Sequence, residues 1–277
     1  MRIRTEKIKK LVFCGFVVCL TVAIFPLLGF SQASAEILLQ DDFENGPRSE
    51  QIWTFKNPGD FGVVQDRAKA HMGAGVLQMI YRPGTTGPGF EYGSIAPIHD
   101  VYVRFYQKFS DNWVWSPIGN KILAIYPSSD NSAYIFWWAK WGSGLLEANW
   151  QNGIDNFSAQ NLSRDTRMIP GVWQCIEMRT RRSSAGKADG IHQLWIDDIM
   201  VMDQRNFDQG SQRTEPWARV MVSAYHNEKK DGQFTIPHVQ YRWIDDLVVS
   251  TGRIGCLPDT GDNTPPSAPK GLQVTSP

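Results

Sequence analysis

No stretch of this chain sustains an apolar residue at every third or fourth position, and that removes helical architectures from consideration. What recurs instead is a series of short apolar or alternating segments broken by Gly, Pro, Asn and Asp. Residues 101–109 show the alternation most clearly. Val101, Val103, Phe105 and Phe109 fall on one face, and Tyr102, Arg104, Tyr106 and Lys108 on the other. Ile37-Leu38-Leu39, Val76 to Tyr81, and segments 120–126, 132–139, 144–150, 173–182, 191–203, 218–225 and 238–250 read as further strands. Many strands with turn chemistry between them predict an all-β sandwich or barrel. Residues 36–258 fit one domain of this kind, since sandwiches can reach ~200–250 residues. No repeat at a fixed period is visible, which disfavours a propeller or solenoid.

Both ends of the chain depart from this pattern. Lys7, Lys9 and Lys10 precede an apolar run, Leu11 to Phe30, which is followed by small residues ending Ala33-Ser34-Ala35. This order predicts a secretory signal over residues 1–35, cleaved before Glu36. The run could span a bilayer at about 20 residues, but Pro26 and the A-x-A site favour cleavage. A secreted or periplasmic location follows, with no membrane attachment afterwards. Cys14 and Cys19 leave with the signal, so Cys175 and Cys256 are the only mature cysteines. An even pair in an oxidising compartment predicts one disulfide, although the sequence leaves open whether the two meet. At the other end, residues 259–277 are rich in Pro, Asp and Thr and read as a linker or tail. Within it, Pro265 to Val274 resembles the opening strand of a fibronectin type III module.

Composition narrows the function. The full chain has 28 basic and 28 acidic residues. Without residues 1–35, which hold five basic residues and one acid, 23 basic and 27 acidic residues remain, a net charge of −4. A mildly acidic body without basic blocks argues against nucleic-acid binding. There is no phosphate-binding GxxxxGK[ST] and no GxSxG nucleophile elbow. The five histidines show no HxxxH or HxH metal spacing. All 11 Trp lie after residue 50, more large rings than one core needs. Most must pack inside, and the surplus points to a sugar-stacking surface. Trp137 and Trp138 are adjacent, so one is core and the other surface, with Ser132, Tyr134, Phe136 and Lys140 sharing the face of Trp138. Trp113, Trp115 and Trp141 lie near strand ends, where rings could form a rim. Tyr102, Arg104, Tyr106 and Lys108 interleave rings with cations, a suitable floor for an anionic sugar chain.

Several segments together resemble the secreted lyase branch of the concanavalin A-like sandwiches, near the alginate and glucuronan lyases and the heparin lyase I group. They are Asp41-Asp42-Phe43-Glu44, Tyr102 to Phe109, Asn120-Lys121, Gly171-Val172-Trp173, Asp189-Gly190, Leu194-Trp195-Ile196-Asp197 and Ile244 to Ser250. The resemblance covers roughly residues 36–256. It implies a jelly-roll β-sandwich of two curved antiparallel sheets, with an extracellular acidic polysaccharide across the concave face. It also implies β-elimination. A cation neutralises the C5 carboxylate, a base takes the adjacent proton, and an acid protonates the leaving oxygen. Lys121 matches the family's lysine and Ser132 its strand serine. Tyr134 stands where those members have an arginine, and Leu145, Glu147 and Asn149 where they have tyrosines.

The expected catalytic set is therefore Lys121 and Arg104 as cations, with Tyr134, Tyr225 and His226 for proton transfer. Tyr102, Tyr106, Lys108, Ser132, Trp138 and His71 are the expected substrate contacts. No cofactor is required for this chemistry. The acids of Asp41 to Glu44 and Asp245-Asp246 could jointly hold a structural Ca²⁺, or simply bond turns. A monomer is expected. The competing reading is a non-catalytic, lectin-like protein on the same sandwich. A retaining glycosidase is weaker, because no ExDxxE-like triplet of acids is present.

Overall fold

A computed structural model describes residues 35–258, apart from 47–48, 56–58, 86, 89, 118, 128–133, 141–143, 152–155, 160–166, 209–214 and 224–235. The side chains of 50–51, 55, 90–92, 134–136, 138, 140, 148–151, 156–159, 207 and 223 also lie outside that description. The signal segment, the tail, Ser132, Trp141, Tyr225 and His226 consequently fall outside the described residues.

Among the described residues, the alternation seen in the sequence becomes fifteen strands and one short helix. In chain order these are β1 (Ile37–Asp41), α1 (Ser49–Ile52), β2 (Trp53–Phe55), β3 (Phe61–Gln65), β4 (Gly75–Tyr81), β5 (Phe90–Ile98), β6 (Asp100–Phe109) and β7 (Gly119–Pro127). The series continues with β8 (Tyr134–Lys140), β9 (Leu145–Gln151), β10 (Asn156–Ala159), β11 (Gln174–Arg181), β12 (Gly190–Ile196), β13 (Ile199–Phe207), β14 (Trp217–Ser223) and β15 (Gln240–Ser250). The eight-stranded sheet runs β13-β12-β11-β6-β15-β4-β3, with β1 also on β15; the seven-stranded sheet runs β10-β9-β8-β7-β14-β5-β2. All pairings are antiparallel. Chain neighbours often sit in different sheets, as in the jelly roll that the resemblance implies. Among the described residues no helix is long and apolar enough to cross a membrane.

The inner faces meet in one core. Val101, Val103, Phe105 and Phe109 of β6 are all buried within it, on the face that the alternation assigned them. Trp137 is the core member of its pair, at 0% exposure. Trp113 is buried, and Trp115 packs against the same cluster, so the two close one end of the core rather than forming a rim. Their rings meet Phe109 at centroid distances of 4.6 and 4.8 Å.

Segment 191–203 is two strands, not one. The hairpin turns at Asp197-Asp198, both with positive φ (50° and 62°), which suits a two-residue turn in the primed class. Asn-Gly is the usual solution there. Aspartate serves here because each carboxylate has work to do: Asp197 accepts the Cys175 N–H, and Asp198 accepts the Cys256 N–H. The two cysteines are joined in a disulfide with Cα atoms 6.0 Å apart.

Polar side chains also enter the inner face, Arg242 and Gln107 among them. Arg242 of β15 is fully buried among Phe105 and Phe109. Its guanidinium donates to the Gln107 side chain at 2.8 Å and, across the sandwich, to the Ile122 carbonyl of β7 at 3.1 Å. The Tyr81 hydroxyl is a further partner, and burial pulls the Arg242 pKa down to about 10, so the group is still charged at neutral pH.

Two stability outcomes follow from these contacts. Arg242→Ala should destabilise the fold by roughly 3–5 kcal/mol in urea unfolding, because it strands buried acceptors and leaves a cavity. Arg242→Met should recover much of that loss, since the desolvation cost of the charge goes with it. Joining residues 81 positions apart should contribute up to about 4 kcal/mol. That is measurable in the Cys175→Ala/Cys256→Ala double variant, and thiol titration of the denatured, unreduced mature protein should find no free cysteine.

Candidate functional site

The outer face of the seven-stranded sheet is organised by a bulge in β7. Pairing with β8 shifts register between Lys121 and Leu123. Ile122 and Leu123 consequently both enter the core, and Lys121 turns away from it. The Ile122 carbonyl freed at this point is the one that Arg242 holds. Register then sets Lys121 opposite Trp138, and Trp138 opposite Glu147. Lysine, tryptophan and glutamate thus form one row across three strands. Burial pushes the Lys121 pKa down. Along the same face, Tyr126 of β7 pairs with Arg219 of β14. The Arg219 guanidinium lies 5.6 Å from the Tyr126 ring, and the Tyr126 hydroxyl is 3.6 Å from Met221 Sδ. At ~3.4 Å per residue, Lys121 and Tyr126 are about 17 Å apart along the strand. Ala124, Tyr126, Glu147 and Met221 point outward yet are buried, unlike the residues of an ordinary solvated sheet face. Arg219 was not anticipated. The alternation of Arg219 and Met221 with the core residues Val220 and Val222 carried the signal.

The predicted ring-and-cation floor is on the other sheet. Tyr102, Arg104, Tyr106 and Lys108 do share one face of β6, but β6 belongs to the eight-stranded sheet and Lys121 to the seven-stranded one. Arg104 and Lys121 thus point away from each other and cannot neutralise one carboxylate. Periodicity specifies the face of a strand, not the sheet that the strand joins. Arg104 is itself buried, at 4% exposure, with its guanidinium 5.5 Å from the Tyr106 ring. Burial lowers its pKa, opposed by the nearby Asp246 carboxylate. His71 stacks on Tyr106 at 3.7 Å and places Nδ1 3.2 Å from Asp246, so it too is remote from the Lys121 row.

Part of this face is roofed by the end of the described chain. Leu257 donates its N–H to the Tyr106 hydroxyl at 2.7 Å. Ile254 and Gly255 donate theirs to the two oxygens of Glu177. Of the remaining expected site residues, Tyr134 opens β8 opposite Gln151, next to the β7 strand that carries Lys121. Ser132, Tyr225 and His226 lie outside the described residues. The acids expected to hold a structural Ca²⁺ or to bond turns are engaged in hydrogen bonds. Asp41 accepts from the Phe43 N–H, the Ser49 hydroxyl and the Trp53 indole. Glu44 accepts from Ala74 and Gly75, and Asp245 from His71 and Met72. These acids pin turns, and among the described residues no three His, Cys, Asp or Glu side chains converge as a metal cage.

No family model and no curated protein matches the chain. Solved structures do. Alginate lyase vAL-1 from a Chlorella virus is similar with a TM-score of 0.59 at 10% identity, over 77% of this chain and 99% of that one. The cellulose-induced protein Cip1 is similar with a TM-score of 0.57 at 18% identity, over 79% and 99%. A variant of alginate lyase Aly36B in complex with alginate tetrasaccharide is similar with a TM-score of 0.56 at 11% identity, over 80% and 99%. At these identities the likeness establishes the jelly-roll fold, shared with alginate lyases and with Cip1.

One group on the roofed sheet gives a pH signature. Asp245 is buried beside Asp246, and burial first, then the neighbouring charge, holds its carboxyl well above the usual carboxylate range. A raised folded pKa means stability that is complete below the unfolded value and is lost as pH climbs through the folded one. Urea midpoints should therefore fall as pH rises from 5 toward 8. Asp245→Asn should flatten that slope, even though its absolute stability drops because the side chain accepts three backbone N–H groups.

Proposed function

We propose that, after removal of a signal over 1–35, the jelly-roll domain of residues 36–258 acts as a secreted or periplasmic polysaccharide lyase on a uronic-acid polymer, with 259–277 as its tail. The observation that carries this reading is Lys121. It is a half-buried cation turned outward by a bulge, in register with Trp138, on a fold shared with alginate lyases. In a low-dielectric recess an ammonium attracts a sugar carboxylate far more strongly than it would in water. That attraction grows as the proton at C5 leaves and charge builds on the carboxylate. The C5–H electrons then form the C4–C5 double bond, the C4–O bond breaks, and the leaving oxygen takes a proton. Tyr134, Tyr225 and His226 are the proposed proton carriers, with Trp138 and Ser132 as substrate contacts. Arg104 has no part in this scheme.

A lectin-like role is the second reading, and Glu147 is the observation that favours it. A carboxylate in the lysine's own row, where the resemblance leads one to expect tyrosine, would oppose an incoming uronate. Cip1, whose name states no reaction, is also similar in fold.

The experiment is an absorbance assay for the unsaturated product on a panel of uronates. Wild-type protein should produce it. Lys121→Ala should lower kcat/KM by about a hundredfold or more, the magnitude of an electrostatic contact made in the transition state, while weakening binding far less. Binding in affinity electrophoresis with no rise in absorbance on any uronate would establish the lectin reading instead.

A further inference from the structure

The end of the eight-stranded sheet beyond the 251–257 segment carries a second row of side chains, in which Trp243 is buried and Lys108, Trp173 and Tyr241 are half-buried. Lys108 of β6 pairs in register with Trp243 of β15, and Trp243 with Gln78 of β4. Trp173 precedes β11, whose first residue, Gln174, pairs with Gln107. The Lys108 ammonium lies 5.9 Å from the Trp173 ring and 5.6 Å from the Trp243 ring. Tyr241 stacks on Trp243 with centroids 5.6 Å apart and planes at 14°. The Trp243 indole N–H is fixed by Gln78 at 3.2 Å.

Two further features distinguish this row from ordinary surface packing. Lys108 pairs with no carboxylate among the described residues. Lys69, Arg82, Arg179, Arg205 and Arg253 all do. The rim is also apolar and open: Val172 is 47% and Val239 39% exposed. Both flank the row in sequence, and both of their loops bond the 109–112 turn, through Gly171 to Phe109 and Asn112 to Val239.

We infer that this row is a second polysaccharide-binding surface, separate from the Lys121 face and specific for chains bearing carboxylate or sulfate. Rings set on strands two apart, about 10 Å, match the reach of a short run of linked pyranoses. The apolar sugar faces stack on Trp173 and Tyr241, and the anionic substituent meets an ammonium that two indoles keep from a protein partner. Such a surface needs no chemistry at Lys121. It would hold the protein on its polymer whether the other face cleaves or only binds.

The test is affinity electrophoresis through gels containing alginate or, as the neutral control, hydroxyethyl cellulose, all in a Lys121→Ala background. That background removes turnover, so a failure of the lyase reading does not disturb this test. The Lys121→Ala protein should still be retarded by alginate and much less by the neutral polymer. Adding Trp173→Ala or Lys108→Gln should weaken alginate retention about tenfold, and Lys108→Arg and Trp173→Phe should keep most of it, with thermal midpoints reporting that each variant is folded. Three results would overturn the inference: alginate retention abolished by Lys121→Ala alone, retention untouched by Trp173→Ala and Lys108→Gln, or equal retention on the two polymers.

Discussion

A buried guanidinium joins the two sheets. Arg242 sits on the inner face of β15 and reaches across the sandwich to the Ile122 carbonyl, which β7 exposes because its bulge breaks the ladder there. A buried cation is expensive, and here oriented dipoles offset the cost: the Gln107 amide, the Tyr81 hydroxyl and one peptide carbonyl. The bulge has a consequence on the other side of the sheet. Without the extra residue, Lys121 and Leu123 would share one face, and the lysine would point at the core. The contact that satisfies the bulge is thus also the contact that keeps the lysine outward. Core stability and site geometry rest on the same atoms.

A second constraint acts at the edge of the eight-stranded sheet. Cys175 and Cys256 donate their N–H groups to Asp197 and Asp198, consecutive residues of one tight turn. The two left-handed residues at that turn carry backbone strain, and the hydrogen bonds they make to the disulfide's own amides are what hold it. Arg253 adds a contact to Asp198 at 2.9 Å. Turn, disulfide and terminal segment are mutually dependent, so the 251–257 segment is part of the fold.

Much of this architecture is legible in the sequence, and the gaps have physical causes. The alternation of β6 identifies which of its residues enter the core, because a half-buried strand has no other way to arrange them. Of the adjacent pair Trp137-Trp138, Trp137 takes the core position that strand alternation gives one of the two. What alternation cannot carry is sheet membership. The 110–118 connection takes the chain from one sheet to the other, and the sequence contains no mark of that crossing. That is why Arg104 and Lys121, seventeen positions apart, read as one groove and are not. The β7 bulge is equally silent: 120–126 reads as a continuous strand, and only the Arg242 contact explains why Ile122 and Leu123 both face inward. Short strands such as β2 and β10, at three and four residues, offer too few positions for a period to show.

Glu177 decides which outer face can act as a polymer groove. Its carboxylate has 0% exposure on the outer face of β11, and both oxygens accept N–H groups from the 251–257 segment. The Cys175–Cys256 disulfide ties that segment covalently to β11, and the two charge-assisted hydrogen bonds to Glu177 seat it. The middle of the eight-stranded sheet therefore stays roofed, and no polymer can run the length of β6 across Tyr102, Arg104 and Tyr106. A groove of that length can only be sought on the seven-stranded sheet, where the bulge turns Lys121 outward. Beyond the roof, the eight-stranded sheet offers only the short row at Lys108 and Trp243, the surface proposed above to hold a chain rather than thread one.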